Sequence, residues 1–428
     1  PESLNLLLSS KGGLSILRDL NTVILDEIHS LIANKRGAYL ISAIERLVPL
    51  SGEFQRIALS ATVKPLAVAA EFLAGYQYHH ELQKSAPPAR TPAEPDYQAR
   101  RVEIIESRQS KQYQVDVCYP EAIANKAADK NLWDALASEL VSKIRHNQST
   151  LIFVNSRALC EKLTHKINVA AEQTIAYAHH GSLSRDIRSA VEAGLKRGEL
   201  AAIVATASLE LGVDIGALDE VFIVQTSGSL ASTMQRIGRA GHQVGQVSKG
   251  KLYPTHPQDF LEAVVLMDAI ACKDIEPVKP VSCPLDVLAQ VIVSMTSQQS
   301  WDLDELYYQL RCSRSFHPLK RSQFDLIVNM LAGRYGKQRV RELRPRVSVD
   351  RLDNTIIAKR SAVLALYSSG GVIPNRGYFQ LRHADNSARI GELDEEFVWE
   401  ARVGKTFTLG TQYWQIQKIT HNDVYVVP

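Results

Sequence analysis

The chain has 428 residues, 45% of them hydrophobic and 22% charged, with a formal net charge of +3. That composition belongs to a globular protein with packed cores, predicts roughly three domains, and by itself announces no nucleic-acid binder. The sequence shows no signal-peptide pattern and no apolar run long enough to cross a bilayer. Its cysteines (Cys118, Cys160, Cys272, Cys283, Cys312) lack C-x-x-C spacing, which argues against a zinc site or disulfide framework and for free thiols in a reducing, cytoplasmic compartment.

The chain opens Pro1-Glu2-Ser3-Leu4 without methionine and reads there as the interior of a longer protein. Residues 1–83 read as part of an α/β lobe. Thr22-Val23-Ile24-Leu25 is a short apolar run ending in acids, the pattern of a buried parallel strand with function at its carboxyl end. Leu40, Ile41, Ile44, Leu47 and Val48 have helical spacing, and Arg56-Ile57-Ala58-Leu59 is the next strand, opening onto Ser60-Ala61-Thr62. Residues 84–118 turn Pro-, Ala- and charge-rich and read as a linker. Residues 119–276 read as a second α/β lobe, with helices at 132–144, 157–168 and 184–197 and strands at 150–154, 201–205 and 221–224, which predicts a parallel sheet covered on both faces. Residues 277–345 carry three helical patterns, at 284–296, 302–311 (Asp302 as N-cap) and 321–331, and read as a winged helix or as a bare three-helix bundle. From 346 to 428 strands dominate, suggesting a β-rich domain. Between Leu310 and Arg360 thirteen Lys and Arg stand against four Asp and Glu, a net of +9; this is a solvated basic face or a phosphate-contacting one.

Four motifs occur in order: Asp26-Glu27-Ile28-His29, Ser60-Ala61-Thr62, Ala205 to Asp214, and Gln235-Arg236-Ile237-Gly238-Arg239-Ala240-Gly241-His242. Together they describe a motor that couples nucleotide hydrolysis to movement on nucleic acid. An acid in the place of Asp26 holds Mg²⁺ through water, and its neighbour Glu27 orients or deprotonates the attacking water. The Ser60 and Thr62 hydroxyls can bond to the acids or to the second lobe and tie γ-phosphate state to lobe closure. Arg236 and Arg239, with Gly238 and Gly241 leaving room for close approach, can deliver guanidinium groups onto a triphosphate held by the other lobe. Gln235 positions water or phosphate. Thr206 and Ser208 follow a strand's carboxyl end and suit phosphate contact, which Glu210, Gly212 and Asp214 link to the nucleotide cleft. His179-His180-Gly181-Ser182 precedes a helix whose N-terminus can receive a phosphate. Gly245 to Leu252 matches G-x-x-x-x-G-K, but strand-like Leu252-Tyr253-Pro254 follows it instead of a helix, so it is not read as a phosphate loop.

These residues resemble superfamily 2 helicases and, more narrowly, the large helicase-related (Lhr) family. The narrower likeness rests on Asp26 to His29 followed by Lys35-Arg36-Gly37-Ala38, on Ser208 to Gly216, on Gln235 to His242 ending in His, and on Leu343-Arg344-Pro345-Arg346, Gly370 to Gly377 and Gly391 to Val398. It covers nearly the whole chain and is weakest over 84–130. The resemblance implies two RecA-like lobes, the first incomplete, then a winged helix and a β-rich barrel-like domain. It implies ATP and Mg²⁺ as cofactors and 3′-to-5′ translocation on single-stranded DNA, unwinding duplex DNA or RNA:DNA hybrid in DNA repair. For the nucleotide it implies Asp26, Glu27, His29, Gly212, Asp214, Arg236 and Arg239. For the strand it implies Lys35, Arg36, Asn155, Ser156, Arg157, His180, Gly181, Thr206 and Ser208, with a tryptophan of the last domain, Trp414 first and Trp399 second; a core role for Trp414 is the alternative. A monomeric core is expected. No Walker A lysine is present, so this stretch is expected to be an internal piece that does not hydrolyse ATP alone. A non-catalytic nucleic-acid-binding module and an RNA-directed enzyme of the same superfamily are the competing readings.

Overall fold

The structure, a computed structural model, describes residues 1–61, 63–79, 95–106, 111–124, 131–181, 183, 185–210, 216, 218–241, 246–334, 344–368, 371–373, 378–409 and 412–428. The expected sites Thr62, Gly212 and Asp214 lie outside them, as does the family-like His242. Strands are numbered in chain order: β1 Thr22–Leu25, β2 Gln55–Ala58, β3 Tyr76–His79, β4 Asp96–Ala99, β5 Gln112–Val117, β6 Thr150–Val154, β7 Ala176–His179, β8 Ala202–Ala205, β9 Glu220–Val224, β10 Val247–Tyr253, β11 Trp301–Asp302, β12 Val347–Asp350, β13 Thr355–Ala358, β14 Tyr378–His383, β15 Arg389–Asp394, β16 Thr406–Leu409, β17 Gln412–Ile419 and β18 Asp423–Val427. The chain divides into two compact units, residues 3–368 and 369–428.

In the first unit, β5, β10, β9, β6, β8 and β7 form one sheet in that order, every pair parallel. Successive side chains of a strand alternate faces, so each apolar strand supplies two cores. Leu151, Phe153, Ile203, Ala205, Val221 and Ile223 pack on one side with the Leu230–Ile237 and Pro257–Cys272 helices. Ile152, Val154, Ala202, Val204, Phe222 and Val224 pack on the other with the Leu132–His146 and Arg157–Ala171 helices. One expectation changes here and another is met. β5 lies in the segment read as linker, yet it pairs with β10 from Gln112↔Val247 to Val117↔Leu252. The G-x-x-x-x-G-K match runs into β10, so Gly250 and Lys251 sit mid-strand.

The first lobe is smaller. β1 and β2 pair in parallel from Thr22↔Gln55 to Leu25↔Ala58. The Lys35–Ser51 helix, capped by Asn34 through the Gly37 N–H, buries Ile41, Ile44 and Leu47 against Leu25, Ile28 and Phe72. Gly37 is needed there, because a Cβ would fall 1.9 Å from the Leu31 carbonyl oxygen. β1 is parallel as expected but not buried: Ile24 is 62% exposed.

The Leu285–Met295, Leu303–Arg311 and Arg321–Leu331 helices match the three expected patterns, and Asp302 caps the second by accepting from the Asp304 and Glu305 N–H groups. β12 and β13 form an antiparallel hairpin, and β13 also pairs with β11 between the first two of these helices. These strands form a three-stranded sheet within the first compact unit, which runs to 368, apart from the sheet of the second unit. The basic run is partly engaged in folding: Arg321 pairs with Asp304 and Asp325, Arg314 with Glu71, and Arg311 lies over Tyr97 at 4.8 Å.

The second unit holds a curled half-barrel sheet in the order β15-β14-β18-β17-β16. Leu381, Leu393, Val398, Trp414, Ile416, Val424 and Val426 form its core. Among the described residues no helix is long and apolar enough to cross a membrane, and all five cysteines are free.

Candidate functional site

The motif acids begin where β1 ends. The Leu59 N–H donates to the Leu25 carbonyl at 2.8 Å and the Ile28 N–H to the Leu59 carbonyl at 3.1 Å, which draws the two motif-bearing strand ends together. Between them Glu27 takes φ +52°, a left-handed conformation costly for a side chain of this kind and typical of functional turns. The exposed Asp26 carboxylate accepts the Glu27 N–H at 2.8 Å, which fixes its direction.

His29 joins this turn to the next motif. Its Nδ1 accepts the Ala61 N–H at 3.1 Å and lies 3.4 Å from the Ser60 hydroxyl. Accepting at Nδ1 places the ring proton of the neutral form on Nε2. That atom is buried without a hydrogen bond and faces a Glu27 carboxylate oxygen at 3.4 Å. Burial lowers the pKa of His29 more than Glu27, Asp26 and Glu210 raise it, so the neutral ring is favoured.

The second lobe supplies the cations. The Leu230–Ile237 helix, capped by Ser229, carries half-buried Gln235 and buried Arg236 near its carboxyl end. Arg236 Nε donates to Glu210 Oε2 at 3.0 Å and its Nη1 to Asn155 Oδ1 at 3.4 Å, with the guanidinium 5.2 Å above the Phe153 ring. Arg239 Nε donates to the Glu210 backbone carbonyl at 3.2 Å. Burial lowers the pKa of Arg239, opposed by the charge of Glu27 from the first lobe and of Glu210 from its own. Glu27 and Arg239 are therefore electrostatic neighbours across the gap between lobes. An exposed carboxylate beside a second acid suits Mg²⁺, which binds proteins through one or two carboxylates and keeps several waters. The facing guanidinium groups suit a polyphosphate. No group of three or more His, Cys, Asp and Glu forms a metal cage among the described residues.

The expected strand contacts of the second lobe cluster at the carboxyl ends of the adjacent strands β6, β8 and β7. Asn155, Ser156, Arg157 and Gly181 are exposed there and Thr206 is half-buried. Several are engaged internally. Ser156 caps the Arg157–Ala171 helix, Asn155 Nδ2 donates to the Thr226 carbonyl at 2.6 Å, and buried His180 pairs with Glu161 at 2.7 Å. The Ser208 hydroxyl lies 2.8 Å from His179 Nδ1, whose Nε2 pairs with Glu192 at 2.9 Å. The partners Glu161 and Glu192 had no signal in sequence, since each pairs with a histidine on another element. In the first lobe Arg36 is exposed, but the Lys35 ammonium lies 2.6 Å from Asp286 and joins the lobe to the winged helix. In the second unit the Trp414 ring is core, 7% exposed and edge-on to His383, and the exposed indole is that of Trp399, at 73%.

Two parallel-sheet lobes with acids on one and guanidinium groups on the other, followed by a winged helix, define a helicase core. Residues 1–69 match the DEAD/DEAH box helicase family, residues 131–243 the helicase conserved C-terminal domain, and residues 268–428 the large helicase-related protein, winged helix domain. The whole chain is 36% identical to the Lhr helicase/probable uracil glycosylase of Mycolicibacterium smegmatis, covering 29% of it, and 34% identical to the ATP-dependent helicase Lhr-Core of Methanothermobacter thermautotrophicus, covering 48%. A structure of Mycobacterium smegmatis helicase Lhr bound to ssDNA and AMP-PNP superposes with a TM-score of 0.77 at 38% identity, over 89% of this chain and 46% of that one. The chain belongs to the large helicase-related family of superfamily 2 helicases. It spans less than half the length of these relatives.

Proposed function

We propose that the whole protein is an ATP-driven translocase that moves 3′-to-5′ on single-stranded DNA and unwinds duplex DNA or RNA:DNA hybrid in the service of DNA repair. The reading is carried by the placement of Glu27 and Arg239 on different lobes, near enough for the charge of Glu27 to act on Arg239. An acid able to orient water and a cation able to stabilise transition-state charge face one gap, as phosphoryl transfer requires. Asp26 would hold Mg²⁺ through water, and the ion would neutralise phosphate charge. Glu27 orients or deprotonates the attacking water, Arg236 and Arg239 bind the phosphates from the second lobe, and Gln235 positions water or phosphate. His29 carries the state of the acids to Ser60 and Ala61 through its Nδ1. The exposed polar ends of β6, β7 and β8, with Arg157 among them, offer a surface for a phosphate backbone. The related structure with ssDNA and a non-hydrolysable ATP analogue supports both ligand classes.

Glu27→Gln in the whole protein tests the acid. ATP turnover should fall about 10²-fold or more, with single-stranded DNA affinity unchanged. Normal turnover in that variant would remove Glu27 from the chemistry.

A further inference from the structure

Lys111 lies in the segment that sequence reading gave to a linker, at the start of the β5 edge strand, and no motif includes it. Its half-buried ammonium donates to the carbonyl of Gly238, the residue that ends the arginine-bearing helix. The Gly238 carbonyl and the Arg239 N–H belong to one rigid peptide plane. That plane is pinned at both edges, its oxygen by Lys111 and its N–H by the Arg236 carbonyl at 3.1 Å. Gly238 itself can carry no side chain to do this work, because a Cβ would fall 2.8 Å from the Met234 carbonyl oxygen.

Charge points the same way. A cation at a helix carboxyl end is favourable, yet this one is partly desolvated and stands beside a second cation. Burial lowers the Lys111 pKa first, and the Arg239 charge lowers it further. A neutral donor could hold the carbonyl without that repulsion. Two crowded, partly buried cations suit a corner where an anion arrives.

We infer that Lys111 is a positioning residue for Arg239: by tying the Gly238 carbonyl to the edge of the second-lobe sheet, it sets the direction in which the Arg239 guanidinium enters the gap between lobes. This rests on the nucleotide reading of that gap proposed above. The test is steady-state ATP hydrolysis, stimulated by single-stranded DNA, in the whole protein carrying Lys111→Met, Lys111→Arg or Arg239→Ala. Lys111→Met should lower kcat about tenfold and leave KM for ATP and DNA affinity within about twofold, while Lys111→Arg, which keeps the charge and the donor, should recover most of kcat. A Lys111→Met enzyme with wild-type kcat overturns the inference, and so does a loss accompanied by a matching fall in melting temperature and DNA affinity. The Arg239→Ala enzyme separates the two failures. Wild-type turnover there defeats the nucleotide reading itself, whereas a slow Arg239→Ala enzyme beside a normal Lys111→Met enzyme defeats only the role of Lys111.

Discussion

In the second lobe six parallel strands hold their catalytic candidates from below, and β6, β8 and β9 are almost wholly buried. In the first lobe Asp26 and Glu27 follow one of a pair of strands, and Ile24 within that strand is exposed. What fixes the first lobe's turn is the packing beneath it. The Lys35–Ser51 helix carries Glu45, 1% exposed, whose carboxylate receives Arg56 Nη2 and Arg100 Nη1, each at 3.2 Å. The winged helix adds the Lys35–Asp286 pair, a 2.6 Å Ser9–Ser294 hydrogen bond, and a 3.0 Å donation from Gln309 to the Glu45 carbonyl. The two lobes are held by different means, one by a sheet core and the other by a helix clamped by buried charge and by the next domain.

That contrast can be broken at Glu45. Removing one member of a buried ionic cluster leaves its partners uncompensated, so Glu45→Ala should destabilise the first lobe by about 3–5 kcal/mol. Hydrogen exchange should then rise in residues 22–61 while β6, β8 and β9 keep their protection. Equal loss of protection in both lobes would mean that they unfold as one and that the contrast is not energetic.

A smaller effect sharpens the comparison at His29. Its folded pKa is depressed, chiefly by burial, so the native state binds fewer protons than the unfolded chain as pH falls through the ordinary histidine value of about 6.5. Stability from this group is complete above that value and is lost on acidification through the lower folded pKa. First-lobe stability should therefore drop over this window, and His29→Gln should flatten the drop. An unchanged pH profile in the variant would reject the neutral, accepting ring.

Much of this architecture was legible because the local signals were strong. Leu151 to Val154 is continuously apolar and lies in a central strand, and Asp302 announces a helix start that the structure shows capped. What escaped were partnerships set by distance along the chain. Val347 to Ala358 has strand character, but only the pairing of β13 with Trp301 and Asp302 says which domain owns it. β5 alternates half-buried and exposed residues, as an edge strand does, and was masked by the charged stretch before it. Lys35 stands among the strand contacts that the resemblance implies, and its pairing with Asp286, 251 residues away, has no signal in sequence. The expected order, Trp414 before Trp399, runs opposite to exposure: the first ring lies in the core and the second outside it, a distinction no local signal carries.

The central claim is that Glu27 and Arg239 serve one reaction from opposite lobes, and a double-mutant cycle on kcat for ATP hydrolysis tests it most directly. Residues that act as a unit are strongly non-additive, so Arg239→Ala alone should cost about 10³-fold and the Glu27→Gln, Arg239→Ala double variant should be little slower than the worse single variant. A double variant whose loss equals the product of the two single losses would contradict the account, because it would describe two groups working independently.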